Sequence, residues 1–316
     1  MSQDAECVLG VDAGGTKTLV AIADRNGSVA YSCQESTLDP TSGPAWIITI
    51  ERVARATGPF VDQTKSAVFG LPFHGEIDAL SQEQAAVCGR LFAMRHEVVN
   101  DVQLAFDGAF AGGAGVLLLA GTGSMAWAGD GNGLQARVGG WGDAFGDEGS
   151  AYWVGREALA EVSRALDGRS RSSEFASLLL KKLGVAETDL IGWCHAHSDR
   201  RSKIAGVAKL VDDLAVAGDT TATTLLERAA DELADHASAA LERSGLRNEA
   251  HWSYAGGLFS SRIIRDRVAA RMRRPPIPPR LSPVGGALLR AARMSGWTVD
   301  DSWINRLSNS LASVLR

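Results

Sequence analysis

The sequence predicts an α/β protein built from two related domains. Short apolar strands alternate with amphipathic helices along the chain, which is the pattern of this class. One strand–turn–strand plan occurs near the N-terminus and again after residue 114. The 316 residues also suffice for about two domains of roughly 150 residues each. We predict a first domain over 1–107 and a second, with helical insertions, over 108–295.

The first copy of the plan opens the chain. Residues 8–11 form an apolar strand, residues 12–16 a tight turn, and residues 18–23 the next strand. Asn26-Gly27 then predicts a hairpin, because both central residues of a type I′ turn need positive φ, and a third strand begins near Val29. The other predicted elements are helices at 45–57 and 81–95, the latter capped by Ser81, and strands at 67–70 and 97–100.

The second copy repeats this order. Residues 115–120 and 125–128 are strands on either side of the turn 121–124, and a glycine-rich turn at 129–133 leads to a strand at 134–138. The later elements are predicted as helices at 150–166, 173–183, 203–217, 221–244, from 260 onward and at 283–295, with a strand at 251–254. The C-terminal segment 296–316 contains an amphipathic helix that either completes the first domain or forms a homodimer contact.

The charge balance and the cysteines exclude several classes of function. Acidic residues outnumber basic ones, 37 to 32, and the net charge of −5 argues against nucleic acid as a partner. No apolar stretch has the length of a membrane span, and the start of the chain lacks a signal-peptide pattern. The four cysteines are scattered without CxxC spacing, which is typical of reduced thiols. We therefore expect a cytoplasmic protein with no nucleic-acid and no membrane partner.

The turns at 12–16 and 121–124 are candidate phosphate sites. Such turns expose backbone N–H groups, and glycine lets the chain approach a ligand closely. Either turn alone serves equally well to reverse the chain, but two at matching positions in related domains could hold both ends of a polyphosphate. Neither has the spacing of a P-loop, and neither opens a helix as a GxGxxG motif does.

Four segments resemble motifs of the actin/hexokinase/Hsp70-like ATPase superfamily. Residues 8–18, 121–124, 255–259 and 283–287 look like its phosphate-1, phosphate-2, adenosine and terminal-helix motifs. The run GGWGDAFGDEGSAYW at 139–153 is similar to the N-acetylglucosamine kinase branch, also called the BadF/BadG/BcrA/BcrD ATPase family. The resemblance implies two actin-like (ribonuclease H-like) domains with a nucleotide and sugar cleft between them, and ATP and Mg²⁺ as cofactors. The residues that it implies for ATP binding are Gly14, Gly15, Thr16, Lys17, Gly121, Thr122, Gly123, Ser124, Gly256 and Gly257.

Asp101 is the candidate catalytic base. Phosphorylating a hydroxyl needs a group that accepts its proton. Asp101 follows the strand predicted at 97–100 and so lies at its carboxyl end, where open α/β sheets place ligands. The base of the family occurs in the same context, and the resemblance implies that Asp101 also contacts the sugar. The alternative is that Asp101 only caps the helix that follows.

Asp12 is the candidate magnesium ligand, acting through water. It lies in the first phosphate turn, and Mg²⁺ prefers oxygen ligands while keeping several waters and bridging nucleotide phosphates. The alternative for Asp12 is a turn-forming aspartate. Lys17 either touches phosphate or is a solvated lysine.

By resemblance, Gly140, Trp141, Asp147 and Ala151 line the sugar pocket. Asp147, in preference to Glu148, is expected to accept hydrogen bonds from sugar hydroxyls, because a polar sugar needs such acceptors. A role for the two carboxylates at a helix N-terminus is the alternative, and Trp141 serves equally well as a packing residue.

The loop at 36–43 departs from the family. It carries no asparagine where the family usually has one for the sugar, and Asp39 or Thr41 stands as the substitute. An ionised Asp39 would favour a free amino group on the sugar over an N-acetyl group.

The principal hypothesis from these residues is an ATP-dependent kinase that phosphorylates a hydroxyl of an amino sugar, with the 6-hydroxyl as the favoured position. N-acetylglucosamine is the leading substrate, and glucosamine, N-acetylmuramate and glucose stay open. The alternatives of other classes are an ATPase that activates a partner protein, which the scattered cysteines disfavour, and a non-catalytic sugar sensor, which Asp101 disfavours. The expected partners are a small sugar and ATP, with a homodimer also open.

Overall fold

The chain folds into two compact units. The computed structural model describes residues 6–14, 17–196, 199–246 and 250–314. The first unit comprises Met1–Gly113 and Pro278–Arg316, and the second comprises Ala114–Ile277. Each unit has its own sheet and its own apolar core. The predicted mixed α/β class is therefore confirmed.

The strands and helices follow one another as predicted, with shifted ends. The strands are β1 (Cys7–Ala13), β2 (Lys17–Asp24), β3 (Val29–Ser36), β4 (Thr64–Leu71), β5 (Arg95–Asn100), β6 (Gly115–Ala120), β7 (Ser124–Gly129), β8 (Gln135–Gly139) and β9 (Trp252–Ala255). The helices are α1 (Ala45–Thr57), α2 (Asp78–Leu91), α3 (Asp101–Phe110), α4 (Ala151–Leu166), α5 (Ser173–Leu183), α6 (Leu190–His195), α7 (Arg200–Val216), α8 (Thr220–Arg243), α9 (Arg262–Met272), α10 (Pro283–Met294) and α11 (Asp301–Val314).

The two sheets share one plan. In the first unit the order is β3-β2-β1-β4-β5, with β1, β2 and β3 antiparallel and β1, β4 and β5 parallel. In the second unit the order is β8-β7-β6-β9, with an antiparallel meander of β6, β7 and β8 and a parallel pair of β6 and β9. Because parallel strands end at the same edge of a sheet, the carboxyl ends of β1, β4 and β5 lie together.

The central strand β1 is covered by helices on both faces. Leu9 and Val11 belong to a core cluster with Trp46 of α1, whereas Val8 belongs to a second cluster with Leu288 of α10. A strand buried on both faces reads as an apolar run, which is what residues 7–11 of β1 show before Asp12.

Helix α10 lies in the first unit because glycines remove side chains at its contacts. A Cβ at Gly286 would be 2.3 Å from the carbonyl oxygen of Leu104 in α3, and one at Gly10 would be 3.0 Å from the Cβ of Ala287. The units therefore differ from the predicted domains 1–107 and 108–295, since residue 107 lies inside α3 and residues 278–295 belong with the first unit. This contact joins distant parts of the chain, so local sequence patterns did not reveal it.

The apolar face of α11 is buried within the first unit. Trp303, Leu307 and Leu311 lie in the same core cluster as α10, and the Ser310 hydroxyl accepts a hydrogen bond of 2.9 Å from the backbone N–H of Val29. Two roles were expected for this helix, and these contacts fit the one in which it completes the first unit. The homodimer stays a prediction. Among the described residues, no helix is both long and apolar enough to cross a membrane.

Several local predictions were wrong or incomplete. The turn at Asn26-Gly27 is not type I′, because of these two residues only Gly27 has a positive φ, of 84°. Asp12 lies inside β1, which continues to Ala13, so the first turn starts later than predicted. Helix α2 begins at Asp78, and Ser81 is not its cap, because the Ser81 hydroxyl donates to the carbonyl of Ile77 at 2.9 Å. Helix α6 was not predicted, since six residues are too few to show a helical period.

We expect Gly286→Ala to destabilise the protein. The added Cβ would force α10 and α3 apart, and overpacking of this kind typically costs about 1–3 kcal/mol. Gly206 in α7 is the matched control, because it is exposed and a Cβ there meets nothing within 4 Å. Gly206→Ala should stabilise by roughly 0.5–1 kcal/mol. Urea unfolding of both variants measures the difference, and a Gly286→Ala midpoint at or above that of the unaltered protein would contradict the prediction.

Candidate functional site

The first glycine-rich turn joins β1 to β2. Gly15 and Thr16 lie outside the described residues, and Gly14 and Lys17 flank them. The backbone N–H of Gly14 donates to the carbonyl of Lys17 at 2.9 Å, and the side chain of Lys17 is exposed. The Thr37 hydroxyl donates to the carbonyl of Gly14 at 2.9 Å, which ties this turn to the segment after β3.

Asp12 and Asp101 lie at the same edge of the first sheet. Asp12 is near the end of β1, and Asp101 is the first residue of α3, directly after β5. Gly70 of β4 lies between them, paired with Asp12 on one side and with Val99 on the other. A Cβ at Gly70 would be 3.4 Å from the Cα of Asp101 and closer still to Leu104, so the missing side chain lets α3 begin beside the sheet.

The two carboxyl groups are held close to neutrality. Burial, and next the charge of Asp101, raise the pKa of Asp12 to about 7 against the opposing effect of Lys17. Burial, with Glu76 and more weakly Asp39, raises the pKa of Asp101 to about 7, although backbone hydrogen bonds to its carboxylate lower it. A carboxyl group with this pKa can take up a proton at neutral pH, as a general base must.

Asn100, and not Asp101, is the cap of α3. The Asn100 side-chain oxygen accepts a hydrogen bond of 3.0 Å from the N–H of Val102, while its amide donates to Glu76 at 2.8 Å and to the carbonyl of His74 at 3.0 Å. The alternative in which Asp101 only caps the helix is therefore wrong. One oxygen of Asp101 also accepts from the N–H of Val102, at 3.0 Å, which fixes its orientation.

Asp39 shares this site with Asp101. It precedes the short 3₁₀ turn Pro40–Ser42, and one of its oxygens accepts from the N–H of Thr41 at 2.8 Å and from the Thr41 hydroxyl at 2.7 Å. The Thr37 hydroxyl accepts from the N–H of Asp39 at 3.1 Å. Since Thr37 also bonds Gly14, the loop with Asp39 and the first glycine-rich turn form one hydrogen-bonded assembly.

The second glycine-rich turn, Gly121–Ser124, is anchored to α4. Gly121 donates to the carbonyl of Gly123 at 2.9 Å, and the first N–H groups of α4, at Ala151 and Tyr152, donate to the carbonyls of Gly121 and Thr122 at 2.9 and 3.3 Å. These bonds fix the turn in one conformation. Ala151 thus acts here through its backbone.

Open space adjoins this turn and the one after β9. A Cβ at Gly121 or at Gly257 would meet nothing within 4 Å, whereas one at Gly256 would be 2.3 Å from the carbonyl oxygen of Ala120. Gly256 also has a φ of 97°, so it is needed for the backbone itself. The free space beside Gly121 and Gly257 fits a ligand that approaches the backbone closely.

Gly140 and Trp141 continue from β8. The N–H of Gly140 donates to the carbonyl of Ser124 at 3.0 Å, and its φ of 71° favours glycine. Trp141 is 68% exposed, with the guanidinium of Arg137 at 5.6 Å from the centre of its ring. A tryptophan this exposed is not a core residue of its unit, which leaves its ring available to a ligand.

Asp147 contacts the second glycine-rich turn directly. Its backbone is left-handed, with a φ of 58°, and the residue is 3% exposed. One carboxylate oxygen accepts from the N–H of Ser124 at 3.3 Å, and the other accepts from Arg201 of α7 at 2.5 Å. The carboxylate of Glu148 instead faces His236 of α8, at 3.8 Å. Asp147, and not Glu148, is thus the carboxylate beside the turn, and each of its oxygens already has one partner within the unit.

Arg201 is the contact that sequence reasoning missed. A usable signal was present, since α7 begins with Arg200 and Arg201 and has no acidic residue in its first turn. Cationic side chains are disfavoured there by the helix dipole, so a tertiary carboxylate partner could have been expected.

The residues present fit a magnesium ion that arrives with a nucleotide. Among the described residues, no group of three or more His, Cys, Asp or Glu side chains could hold a metal by itself. Asp12 supplies a single carboxylate next to a glycine-rich turn, and its raised pKa marks a negative charge that the surrounding protein leaves largely uncompensated. One carboxylate together with phosphate oxygens and water is a common way of binding Mg²⁺.

The chain belongs to the BadF/BadG/BcrA/BcrD ATPase family, whose sequence pattern matches residues 9–291. It is 27% identical over 278 residues to the N-acetylmuramic acid/N-acetylglucosamine kinase of Clostridium acetobutylicum, covering 80% of this chain and 86% of that protein. It is also 27% identical over 272 residues to the N-acetyl-D-glucosamine kinase of Dictyostelium discoideum, covering 80% and 85%. A solved structure from Chromobacterium violaceum, of a protein assigned as an N-acetylglucosamine kinase, has a TM-score of 0.73 at 25% identity and covers 91% of this chain and 99% of that one.

These likenesses confirm the resemblance read from the motifs. They confirm both the family and the two-domain actin-like ATPase fold predicted from the sequence. Membership of an ATPase family also makes ATP the nucleotide of this chain. The roles of the individual site residues, and the magnesium ion, stay predictions.

The raised pKa of Asp101 should make the protein less stable as the pH rises. In the unfolded chain an aspartate ionises near its ordinary value of 3.8, whereas in the folded protein Asp101 ionises at about 7. Between these values the unfolded state loses a proton that the folded state keeps, so the free energy of unfolding falls through this window. We expect Asp101→Asn to raise the melting temperature at pH 7.5, by roughly 2–4 °C per kcal/mol regained, and to leave it unchanged near pH 4.

Asp78 provides the control for that measurement. It is exposed and lies in the first turn of α2, as Asp101 does in α3. Asp78→Asn should lower the melting temperature slightly at pH 7.5, because a favourable helix-dipole contact is lost. If Asp101→Asn is no more stable than the unaltered protein at pH 7.5, the burial argument for Asp101 is wrong.

Proposed function

We propose that this protein is an ATP-dependent kinase that phosphorylates a hydroxyl of an amino sugar, the 6-hydroxyl, with N-acetylglucosamine as the first substrate. The observation that carries the proposal is the carboxyl group of Asp101, held near a pKa of 7 at the sheet edge beside the first glycine-rich turn. The curated relatives, which are kinases of N-acetylglucosamine, support the choice of sugar.

Asp101 acts as the general base in this proposal. Its carboxylate accepts the proton of the attacking hydroxyl, while the hydrogen bond from the N–H of Val102 keeps one oxygen fixed. Asn100 holds both the start of α3 and Glu76, whose charge helps to raise the pKa of Asp101.

The glycine-rich turns bind the nucleotide. The backbone of each turn approaches the phosphates, and the open space beside Gly121 and Gly257 admits the nucleotide. Asp12 would hold magnesium through water, and the ion supplies positive charge next to the phosphates when bound.

In the second unit, one loop carries the proposed sugar contacts. The backbone of Gly140, the ring of Trp141 and the carboxylate of Asp147 lie on one loop that is bonded to the turn Gly121–Ser124. The carboxylate of Asp147 accepts hydrogen bonds from sugar hydroxyls, and the exposed face of Trp141 covers the apolar side of the sugar ring.

Coupled ADP release with ATP and magnesium tests the proposal directly. N-acetylglucosamine, glucosamine, N-acetylmuramate and glucose are compared with a reaction that contains no sugar. ADP release that depends on an amino sugar supports the kinase. ATP hydrolysis at the same rate without sugar would point to an ATPase that activates a partner, and sugar binding without turnover would point to a sensor.

Asp101→Asn should reduce kcat by about 10²–10⁴, the usual contribution of a general base. In the unaltered protein, kcat/KM should fall as the pH drops below about 7, because Asp101 then becomes protonated. The acid side of the pH profile of the variant should be shallower but not flat, since Asp12, with a pKa of about 7, still titrates there. Asp78→Asn is the control and should keep the kinetics of the unaltered protein; a kcat within twofold of normal in Asp101→Asn would disprove the assignment of the base.

Glucosamine is the second candidate substrate. The charge of Asp39 reaches the site, since it contributes to the raised pKa of Asp101. Together with Glu76, which also raises the pKa of Asp101, it places negative charge at this edge of the sheet. A sugar with a free, cationic amino group would be attracted to these carboxylates, whereas an N-acetyl group gains nothing from them.

Asp39→Asn should therefore change the preference between the two sugars. Removing one negative charge from a partly exposed site is worth about 1 kcal/mol, so the ratio of kcat/KM for glucosamine to that for N-acetylglucosamine should fall by roughly five- to tenfold. Asp62→Asn, on an exposed turn of the same unit, is the control. An unchanged ratio in Asp39→Asn would rule out this role for its charge.

A further inference from the structure

The pairing of Asp147 with Arg201 is not accounted for by the function proposed above. Arg201 is the second residue of α7 and follows another arginine, at a helix end where a positive charge is disfavoured. Its place in the structure is therefore explained by what its side chain contacts and not by its helix.

The guanidinium of Arg201 reaches from the surface onto a buried carboxylate. The Arg201 side chain is 39% exposed, whereas that of Asp147 is 4% exposed. Arg201 donates to one oxygen of Asp147 at 2.5 Å, and its Nε lies 3.6 Å from the carboxylate of Asp143. The shorter contact is thus made with the more deeply buried anion.

The pair packs against the second glycine-rich turn. The other oxygen of Asp147 accepts from the N–H of Ser124 at 3.3 Å. A Cβ at Gly123 would be 2.9 Å from this oxygen and 3.1 Å from Nη2 of Arg201. The missing side chain at Gly123 therefore makes room for the pair, and a displacement of Arg201 would act on the carboxylate and on the turn together.

We propose that Arg201 is a positioning residue of the acceptor-sugar site, which holds Asp147 against the turn Gly121–Ser124 as an ionised acceptor of sugar hydroxyls. The inference rests on the proposed function, in which Asp147 contacts the sugar. An ionised carboxylate has about four acceptor positions, and Ser124 and Arg201 use one on each oxygen. One position on each oxygen is left for a hydroxyl donor.

The charges around Asp147 explain why an arginine is needed. Burial raises the pKa of Asp147, and Asp143 adds to the increase, while Arg201 and the N–H of Ser124 lower it. His236 of α8, which also interacts with Asp147, faces Glu148, and its own pKa is lowered by burial. Because His236 is neutral at pH 7, Arg201 supplies the positive charge that opposes protonation of Asp147.

The experiment compares Arg201→Met with two further variants. Arg201→Met should raise KM for the sugar at least about tenfold, as expected for loss of a hydrogen bond to a charged group, and should leave KM for ATP within about twofold. The acid limb of kcat/KM for the sugar should move to higher pH. Arg201→Lys keeps the positive charge, so the acid limb of kcat/KM should return to its normal pH. Its KM for the sugar should lie between those of Arg201→Met and the unaltered protein. Arg200→Met, at the exposed neighbour, should behave as the unaltered protein.

A double-mutant cycle separates positioning from a general structural effect. Asp147→Asn removes the charge that Arg201 is inferred to hold, so adding Arg201→Met to it should raise the sugar KM no further. Losses that add up in the double variant would overturn the inference, and so would an unaltered sugar KM in Arg201→Met. If Arg201→Met does not fold, Arg201→Lys is decisive: a raised sugar KM with a normal acid limb supports the inference, and an unaltered KM overturns it.

The kinetics of the unaltered protein show whether the proposed function or only the role of Arg201 is wrong. If it releases no ADP in response to any sugar, the proposed function fails and this inference fails with it. If it turns over normally while Arg201→Met has an unaltered sugar KM, only the role of Arg201 is wrong.

Discussion

The first unit depends on the close packing of α3 and α10 against each other and against the sheet. Gly70 in β4, Gly108 in α3 and Gly286 in α10 each lack a side chain at a point where a Cβ would be within 3 Å of a neighbouring atom. This packing sets where α3 begins. Because the helix starts directly at the sheet edge, its first residue, Asp101, lies beside Asp12 at the ends of the parallel strands.

Elsewhere in the first unit, acidic side chains are paired with an arginine of α10. Arg290 of α10 bonds Glu97 at 2.7 Å and Asp107 at 3.0 Å, in the packed part of the unit. At the sheet edge, by contrast, no ion pair joins Asp12 or Asp101 to any described basic residue. Carboxyl groups left in this state lower the stability of a protein at neutral pH. Their retention is understandable if a proton, a metal ion or a cationic ligand is to be bound there.

Much of this arrangement could be read from the sequence. The apolar runs, the Asn-Gly hairpin and the two glycine-rich turns predicted both meanders, and Asp101 was found from its place after a short strand. The motifs also predicted the family. What local patterns could not predict were contacts between distant segments. The return of α10 to the first unit, with Gly286 on α3, and the approach of Arg201 to Asp147 both depend on packing that brings far-apart residues together. The predicted start of α2 at Ser81 was wrong for a different reason, because serine is a common capping residue but this one lies inside the first turn of the helix.

The two units share one strand plan but place different charges next to a buried aspartate. Each unit contains an aspartate whose pKa is raised by burial, Asp101 at the sheet edge of one and Asp147 beside the glycine-rich turn of the other. In the first unit the neighbours are carboxylates, so protonation becomes easy and the group can exchange a proton near pH 7. In the second unit the neighbour is Arg201, which opposes protonation and favours a fixed acceptor. Burial is common to both sites, and the sign of the neighbouring charge decides whether the aspartate suits proton transfer or recognition.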